Sequence, residues 1–496
     1  MHRIREGLSL GGLSARRGVP ERSTQVECDA RGPRLAAAPY LSLAVGGVVR
    51  VGVGDRWCPP EARVRCPPSR LRFVLWDDWE EFVAVVWAGV AGVGTGRMTR
   101  RGTDVTDVVI SSAARTAVGA YGKSLRDVSA TDLGAIAARA ALERAGLDGE
   151  HVDQVVFGNV IHTAPEDMYM ARVVGIKAGI PKEAPALTVN RLCGSGVQAI
   201  VSAAQAIKTG DADVALAGGA ESMSRGAYWN LSERWGARMG DVALIDAVVG
   251  SLTDPFDDIH MGMTAENLAE SHSVSREAQD DFSFESHRRA QAAIDSGKFE
   301  DEVVPVQVKA KRETVEFKVD EHVRRDAARD VFSKLRPAFK KDGTVTAGNA
   351  AGVNDAGAAV IVMSSRKAEE LGAPVRARIL SWAVCGVEPK TMGIGPVPAV
   401  RRALERAGKR LEEVDVIELN EAFAAQALAV MSDLELDPAK VNPNGGAIAL
   451  GHPISATGAV ITAKILSEME REDHKLGLVT LCIGGGQGIA MLIGRD

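Results

Sequence analysis

Two parts of the chain repeat the same order of apolar and polar positions. Residues 141–146 and 403–408 share the sequence ALERAG, and each copy follows apolar residues at helical spacing. A Val-Asp pair comes next at the same distance, at residues 152–153 and 414–415, and opens a short apolar run. Each copy predicts a helix, a loop and a buried strand. Because the match keeps the following strand in step, it indicates a duplicated unit.

The segments that follow the two copies also share an order of elements, although their sequences are less similar. Asn190 and Asn442 are each followed by a glycine-rich turn, an apolar helical run and a strand that ends in glycines. The predicted helices cover 197–207 and 456–469, and the predicted strands cover 213–217 and 476–482. The alternation predicts an α/β fold, and two copies predict a duplicated five-layer αβαβα arrangement with helices between two sheets.

A more polar segment, residues 225–353, interrupts the first copy, and we expect it to form an inserted loop (lid) domain. The first half of the fold then takes residues 98–224 and 354–373, and the second half takes residues 374–496.

The first 97 residues differ in composition from the rest, with 14 Arg and no Lys. Targeting leaders are usually shorter and poor in acidic residues, whereas this stretch has 10. We expect Met98 to be the natural start. Residues 1–97 would then be a poorly ordered or wrongly assigned extension, and deleting them should leave any activity intact.

Composition excludes several classes of protein. The net charge of −6 argues against non-specific nucleic-acid binding. No uncharged apolar run reaches the roughly 18 residues that cross a bilayer. Six scattered Cys are too few for a disulfide scaffold and favour a reducing compartment. We therefore expect a cytoplasmic protein that binds neither nucleic acid nor membrane.

Cys193 lies in the sequence NRLCGSG, between a predicted strand and an apolar helix. The N–H groups at the start of a helix favour a thiolate, which is the nucleophilic form of cysteine. A structural cysteine at a glycine turn fits the same pattern. The motif alone leaves both interpretations open.

Three further polar groups share this setting. His452 lies in a glycine-rich turn before a helix, Cys482 at a strand end, and Asn420 at a strand-to-helix junction. Each alone fits a structural role, but all lie at the carboxyl ends of predicted strands, where α/β sheets gather their sites. The spacing lacks the paired short loops of a zinc site. The glycine run 484–488 has no following helix, which excludes a dinucleotide-binding loop.

These segments resemble the thiolase family, specifically its acetyl-CoA acetyltransferases, over about residues 103–496. The motifs that carry the resemblance are NRLCGSG (190–196), GGAESMS (218–224), HMGMTAE (260–266), TAGN (346–349), NEAFA (420–424), GHP (451–453) and CIG (482–484). The chain departs from the family where Ala351 replaces a frequent Ser that can bond the pantetheine. Ala220 and Ser455 likewise replace a frequent Met and a frequent Gly.

The resemblance implies two half-reactions. Cys193 would take an acyl group from one acyl-CoA as a thioester, and His452 would accept its proton. Cys482 would remove the α-proton of a second acetyl-CoA, and the resulting carbanion would attack the acyl-enzyme. Asn420 would hold a water that joins His452 in one oxyanion hole. The N–H groups of Cys193 and Gly484 would form another.

The resemblance further implies that CoA thioesters are the substrates, with no covalently bound cofactor and no metal. The expected substrate-binding residues are His260, Met261, Arg324, Ala347, Ala351, Met392 and Phe423. The implied reaction is the reversible Claisen condensation of two acetyl-CoA to acetoacetyl-CoA and CoA, in a homotetramer built as a dimer of dimers.

Two alternatives stay open. A 3-ketoacyl-CoA thiolase of fatty-acid β-oxidation would act on longer chains, although a pocket filled by Met261, Met263 and Met392 favours short ones. A non-catalytic acyl-CoA- or lipid-binding relative would keep the fold and lose a catalytic group. All four groups are present in this chain.

Overall fold

A computed structural model describes residues 40–44, 48–52, 107–325 and 327–496. The chain forms two compact units, Met1–Arg100 and Arg101–Asp496. In the first unit, strand β1 (Tyr40–Ala44) pairs antiparallel with β2 (Val48–Gly52). The predicted extension 1–97 otherwise lies outside the described residues.

The second unit alternates strands with helices. Its strands are β3 (Val108–Thr116), β4 (Gly119–Ala120), β5 (Gln154–Gly158), β6 (Ala186–Val189), β7 (Val214–Ser222), β8 (Tyr228–Trp229), β9 (Ile245–Asp246), β10 (Thr253–Asp254), β11 (Ile259–His260), β12 (Val303–Val304), β13 (Val306–Ala310), β14 (Glu313–Phe317), β15 (Asn354–Ser364), β16 (Ala377–Gly386), β17 (Val416–Leu419), β18 (Leu476–Ile483) and β19 (Gln487–Gly494).

Its α-helices are α1 (Ala130–Ala145), α2 (Met170–Lys177), α3 (Ser195–Thr209), α4 (Ala247–Ser251), α5 (Met261–Ser271), α6 (Arg276–Asp295), α7 (Arg329–Ser333), α8 (Ser365–Leu371), α9 (Pro396–Ala407), α10 (Ala424–Leu434), α11 (Ala447–Leu450) and α12 (Thr457–Arg471). Short 3-10 helices cover Gly149–His151, Pro165–Tyr169, Leu192–Gly194, Met223–Arg225, Glu233–Trp235, Pro389–Ile394 and Leu411–Glu413. No helix among the described residues is long and apolar enough to span a bilayer.

The repeated sequence has the same structural role in both halves. Helices α1 and α9 end at its glycines, Gly146 and Gly408, which adopt left-handed φ values of 67° and 61° that favour glycine. The repeated aspartates also act alike. Asp153 accepts the N–H groups that begin β7, and Asp415 accepts those that begin β18, all at 2.8–2.9 Å. The duplication therefore extends to hydrogen bonds.

Five layers follow from how the helices pack. Helices α1 and α2 cover the outer face of strands β3, β5, β7 and β15, and α9 and α10 cover that of β16–β19. Helices α3 and α12 lie between the two groups of strands in one continuous apolar core. This is the predicted αβαβα arrangement.

One feature of the sheet differs from the prediction of two sheets. The strands form a single hydrogen-bonded path, β17-β18-β19-β16-β3-β15-β7-β5-β6. The two groups join where β16 meets β3 through only two residue pairs, Ala377 with Ile110 and Arg378 with Val109. No apolar pattern marks so short a junction, because both strands are already buried by their helices.

The segment 225–353 contains β8–β14 and α4–α7, and it contacts both halves. Its strand β12 pairs parallel with β3 of the first half, and α6 packs on α10 and α11 of the second half. The segment therefore lies along the side of the sheet that holds the carboxyl ends of the strands. The residues that follow β6, β17 and β18 lie on the same side.

Candidate active site

Cys193 lies in a tight turn held by its neighbours. The turn is a 3-10 helix, Leu192–Gly194, directly before α3. Asn190 Oδ1 accepts the Leu192 N–H at 3.0 Å. Ser195 Oγ accepts the Arg191 N–H at 2.9 Å and donates to the Leu192 carbonyl at 2.7 Å. These bonds hold Leu192 at a left-handed φ of 44°, an uncommon conformation for a leucine.

The backbone N–H groups of Gly484 and of Cys193 itself lie close enough to the Cys193 sulfur to affect its pKa. Both lower its pKa, but burial has the larger effect and raises the pKa to about 11. The charge of Glu221 raises it further. Backbone N–H donors therefore favour the thiolate, as the sequence indicated, but desolvation outweighs them in the resting site.

Gly484 reaches Cys193 from the other half of the molecule, in the hairpin between β18 and β19. A Cβ atom at this position would lie 3.2 Å from Leu192 Cδ1 and 3.3 Å from Met261 Sδ, so a side chain would press on the site. Arg191 Nη1 also donates to Gln487 Oε1 at 2.9 Å. The Cys193 turn and the hairpin are thus fixed to each other.

Cys482 is the last but one residue of β18, two residues before Gly484, and is fully buried. Its apolar neighbours include Met261, Met392 and Phe423. Burial raises the pKa of its thiol well above the usual value, and the nearby Cys193 raises it further. The two thiols therefore lie within electrostatic reach of each other, and both are neutral at rest.

His452 lies in the turn between α11 and α12, with its backbone N–H donating to Asn354 Oδ1 at 3.0 Å. Its Nδ1 lies 2.7 Å from Thr457 Oγ1, whose own proton has an acceptor in the Pro453 carbonyl at 3.2 Å. We therefore assign the Nδ1–H tautomer, which leaves the lone pair on Nε2. Burial lowers the pKa of His452 to about 4.

Two buried polar groups have unused hydrogen-bonding capacity. Nε2 of His452 and both side-chain polar atoms of Asn420 have no hydrogen-bond partner among the described residues. Asn420 follows β17, where its backbone N–H donates to the Thr480 carbonyl at 3.0 Å. An amide that is 1% exposed and without a partner is costly, which indicates a role toward a ligand or water.

The turn that carries His452 lies against the start of α3. A Cβ at Gly196 would lie 3.0 Å from the Ser455 carbonyl oxygen. Ile454, from the same turn, belongs to the apolar cluster that Cys193 packs against. The structure therefore brings Cys193, Cys482, Gly484 and His452 together from both halves.

The predicted acyl-pocket residues form a connected aromatic and methionine wall. The His260 ring stacks on Phe339 at 4.7 Å, and Phe339 meets Phe423 edge-on at 6.2 Å. Met261, Met392 and Phe423 belong to the same apolar cluster as Cys482. Burial lowers the pKa of His260, whose Nδ1 accepts the Gly262 N–H at 3.0 Å.

The predicted CoA-binding residues lie in two adjoining loops. Arg324 Nη2 donates to the Ala347 carbonyl at 3.4 Å. The Ala351 N–H donates to the Ala422 carbonyl at 3.0 Å, beside Phe423. Ala347 is exposed, whereas Arg324 and Ala351 are partly buried. Among the described residues, no three His, Cys, Asp or Glu side chains group closely enough to hold a metal ion.

Family comparison identifies this arrangement. The chain matches the model of the thiolase N-terminal domain over residues 108–366 and that of the thiolase C-terminal domain over residues 373–495. The chain belongs to the thiolase family. This thiolase is 58% identical to the β-ketothiolase BktB of Cupriavidus necator, over 78% of this chain and 99% of the relative. It is 52% identical to the acetyl-CoA acetyltransferase of Pseudomonas aeruginosa, over 79% of this chain and 100% of the relative.

Solved structures agree with this assignment. The crystal structure of human mitochondrial 3-ketoacyl-CoA thiolase in complex with CoA aligns with a TM-score of 0.77 at 48% identity. The alignment covers 79% of this chain and 98% of the human one. The family and the α/β fold that the sequence predicted are therefore confirmed.

Sequence reasoning missed three residues that hold the site of this thiolase. Thr457 and Asn354 fix the ring and the backbone of His452. Glu221 receives hydrogen bonds from both halves. Glu221 was visible within the GGAESMS motif, but its partners are distant along the chain, and no local signal marked Asn354.

Proposed function

We propose that this thiolase condenses two acetyl-CoA to acetoacetyl-CoA and CoA, reversibly, through an acyl-Cys193 intermediate. The observation that carries the proposal is the packing of the Gly484 hairpin on the Cys193 turn, where a Cβ at Gly484 would lie 3.2 Å from Leu192 and the Gly484 N–H lowers the Cys193 pKa. This packing, and the effect of Cys193 on the pKa of Cys482, support a site that takes its nucleophile from the first half and its base from the second.

The first half-reaction transfers an acetyl group to Cys193. The Cys193 proton passes to Nε2 of His452 as the sulfur attacks the thioester carbonyl. Because the thiol has a pKa of about 11 and the imidazole a pKa of about 4, the neutral pair is the resting state. Proton transfer therefore accompanies formation of the C–S bond. The departing CoA leaves as a thiolate.

The second half-reaction needs Cys482 as a base. Burial keeps its proton on the sulfur at rest, so that proton must leave first. The CoA thiolate formed in the first step takes it and departs as CoA. The Cys482 thiolate then removes the α-proton of a second acetyl-CoA, and the carbanion attacks the acetyl-Cys193 carbonyl. Cys193 leaves as a thiolate and recovers its proton from His452, which closes the cycle.

Two sets of donors are suited to the negative oxygens of these steps. The first set is the Gly484 and Cys193 N–H groups, both of which lower the pKa of the Cys193 thiol. Protonated Nε2 of His452 and a water held by the Asn420 amide form the second set, which fits the two buried groups that lack protein partners. Such preorganised donors are worth several kcal/mol, on the order of 3 each.

Mass spectrometry tests the proposal. On mixing with acetyl-CoA, the protein should gain the mass of one acetyl group, which peptide mapping should find on Cys193. Acetoacetyl-CoA should then form with ping-pong kinetics. An unmodified protein would favour the non-catalytic acyl-CoA-binding alternative, and a label on another residue would contradict the assigned nucleophile.

Longer 3-ketoacyl-CoA substrates are the second candidate, which the similarity to the β-ketothiolase and to the human 3-ketoacyl-CoA thiolase supports. The buried side chains of Met261, Met392 and Phe423 beside Cys482 favour a short acyl group. A thiolysis rate profile over 3-ketoacyl-CoA of increasing length separates the two. Rates that fall beyond four carbons support acetoacetyl-CoA, and rates that rise support the alternative.

We propose that CoA lies along the inserted segment 225–353, with His260 and Met261 at the acyl end and Arg324 and Ala347 toward the phosphates. Arg324 is partly exposed and carries the positive charge that a phosphate requires. Ala351 offers no hydroxyl to the pantetheine, which costs about 1 kcal/mol of binding relative to a serine.

We propose that each chain of this thiolase has two halves, residues 98–224 with 354–373 and residues 374–496. We further propose that four such chains form a homotetramer. Its support is a run of exposed apolar side chains within residues 228–249, where Leu231, Trp235 and Met239 are 76%, 87% and 98% exposed. Light scattering of a Trp235→Ser, Met239→Ser variant tests whether this surface holds the tetramer together.

The three described cysteines are free, which supports a reducing cytoplasm.

A further inference from the structure

Glu221 is a fully buried carboxylate at the end of β7 that the reaction above does not use. Its Oε1 accepts the Ile161 N–H at 3.0 Å and Asn159 Nδ2 at 3.1 Å. Its Oε2 accepts the Ser455 N–H at 3.0 Å. Among the described residues, the hydrogen-bond donors to this carboxylate are all neutral.

These bonds cross between the two halves. Ile161 and Asn159 follow β5 of the first half, whereas Ser455 lies in the second half, three residues after His452 in the turn before α12. Ser455 Oγ also donates to the Ala220 carbonyl at 2.9 Å. Backbone packing is close here, because a Cβ at Gly219 would collide with the Ser455 carbonyl. The His452 turn is therefore seated on β7.

We propose that Glu221 is a positioning residue of this thiolase, whose carboxylate holds the turn that carries His452 against the first half so that Nε2 meets the Cys193 thiol. The proposal rests on the proposed function, since it assigns His452 as the acceptor of the Cys193 proton. Glu221 itself touches neither the substrate nor the reacting atoms.

The donor set explains why a carboxylate is needed. N–H donors approach both oxygens of Glu221, so an acceptor is required at each position. A glutamine would direct its NH₂ group at one of these donors, and the bond to Ser455 or the bonds to Ile161 and Asn159 would be lost. The cost of keeping the carboxylate is desolvation, which raises its pKa to about 7.

Electrostatics and positioning predict opposite effects of removing the charge. The charge of Glu221 raises the Cys193 pKa, so a charge effect alone would make the thiol of a Glu221→Gln variant more reactive. If Glu221 positions His452, the same variant transfers the Cys193 proton poorly and becomes slower. The sign of the change therefore distinguishes the two roles.

The experiment compares Glu221→Gln with a matched control, Asp153→Asn. Asp153 caps the other end of β7 by accepting two N–H groups at 2.9 Å, and it is exposed. We expect Glu221→Gln to slow acetylation of Cys193, followed by single-turnover mass spectrometry, by about 10- to 100-fold. The KM for acetyl-CoA should change less than about twofold. Asp153→Asn should match the wild type in both measurements.

Other outcomes overturn the proposal. Acetylation at or above the wild-type rate in Glu221→Gln would contradict the positioning role. An equally slow acetylation in Asp153→Asn would contradict it too, as would a KM that changes as much as kcat in Glu221→Gln. If Glu221→Gln yields no folded protein, Glu221→Asp takes its place. It keeps both acceptors but is one methylene shorter, and we expect a smaller loss of kcat at unchanged KM. Acetylation of Cys193 at the wild-type rate in Glu221→Asp would also contradict the positioning role. Failure of the wild-type protein to acetylate Cys193 would instead overturn the proposed function.

Discussion

The turn before α3 and the end of β18 each present one cysteine to the same site, but in different surroundings. Cys193 is partly exposed and receives two N–H donors, so a negative sulfur or oxygen there is stabilised as it forms. Cys482 is fully buried in an apolar cluster that includes Met261, Met392 and Phe423. An apolar enclosure excludes water from a carbanion and keeps the base neutral until a proton acceptor arrives.

This contrast shows how one residue type serves two chemical steps. A nucleophile that forms a tetrahedral intermediate needs hydrogen-bond donors nearby. A base that deprotonates carbon needs a high proton affinity, which desolvation supplies. The pKa values of both thiols are raised, but among the described residues only Cys193 has an N–H from the opposite half, that of Gly484, which offsets part of the burial.

Replacing Cys193 by Ser should have the largest effect. A serine hydroxyl has a much higher pKa than a thiol, and His452, with a pKa of about 4, is a weak base. We expect acetylation to fall by at least about 10⁴-fold, measured by intact mass after mixing with acetyl-CoA. The melting temperature should stay close to that of the wild type. Retained acetoacetyl-CoA synthesis would refute the assignment.

Replacing Cys482 by Ala should separate the two half-reactions. Cys193 should still be acetylated on mixing, but condensation should fall by about 10³-fold because the carbon base is gone. The control is Cys385→Ala, since Cys385 is also buried and pairs with Gly488 from the opposite side of β19, as Cys482 does. Equal losses in both variants would show that the effect is one of packing.

The apolar periodicity of the sequence predicted the helices and strands better than it predicted the pKa values and hydrogen bonds of the site. The helix predicted at 197–207 is α3 (Ser195–Thr209), and the strand predicted at 476–482 is β18 (Leu476–Ile483). Both follow from apolar periodicity, which is local. The raised pKa of Cys193 could not be predicted from the motif, because the surroundings of the turn include Gly484, almost 300 positions away. Glu221 was missed for the same reason, since its donors come from two distant loops.

The reactivity of Cys193 toward iodoacetamide should depend steeply on pH. Because burial raises the thiol pKa to about 11, the thiolate fraction should grow about tenfold per pH unit below that value. Alkylation of the Cys193 peptide should therefore rise about 100-fold from pH 6.5 to 8.5 without levelling off. A plateau near pH 7 would show that the donors outweigh desolvation. The Cys482 peptide should be labelled more slowly throughout, since that thiol is fully enclosed.

Removing the hydroxyl of Thr457 should have the smallest effect in this series. Thr457→Val keeps the shape of the side chain but leaves Nδ1 of His452 without its acceptor, so the tautomer that carries the lone pair on Nε2 loses its advantage. We expect kcat to fall about tenfold at an unchanged KM. Thr462→Val is the matched control, because Thr462 is also buried in α12 and its hydroxyl donates to the Gly458 carbonyl at 2.7 Å, within its own helix. If both valine variants lose the same activity, the hydroxyl of Thr457 does not orient the base. Loss in Thr457→Val alone would show that a side-chain acceptor orients the base, whereas the nucleophile has backbone N–H groups beside it.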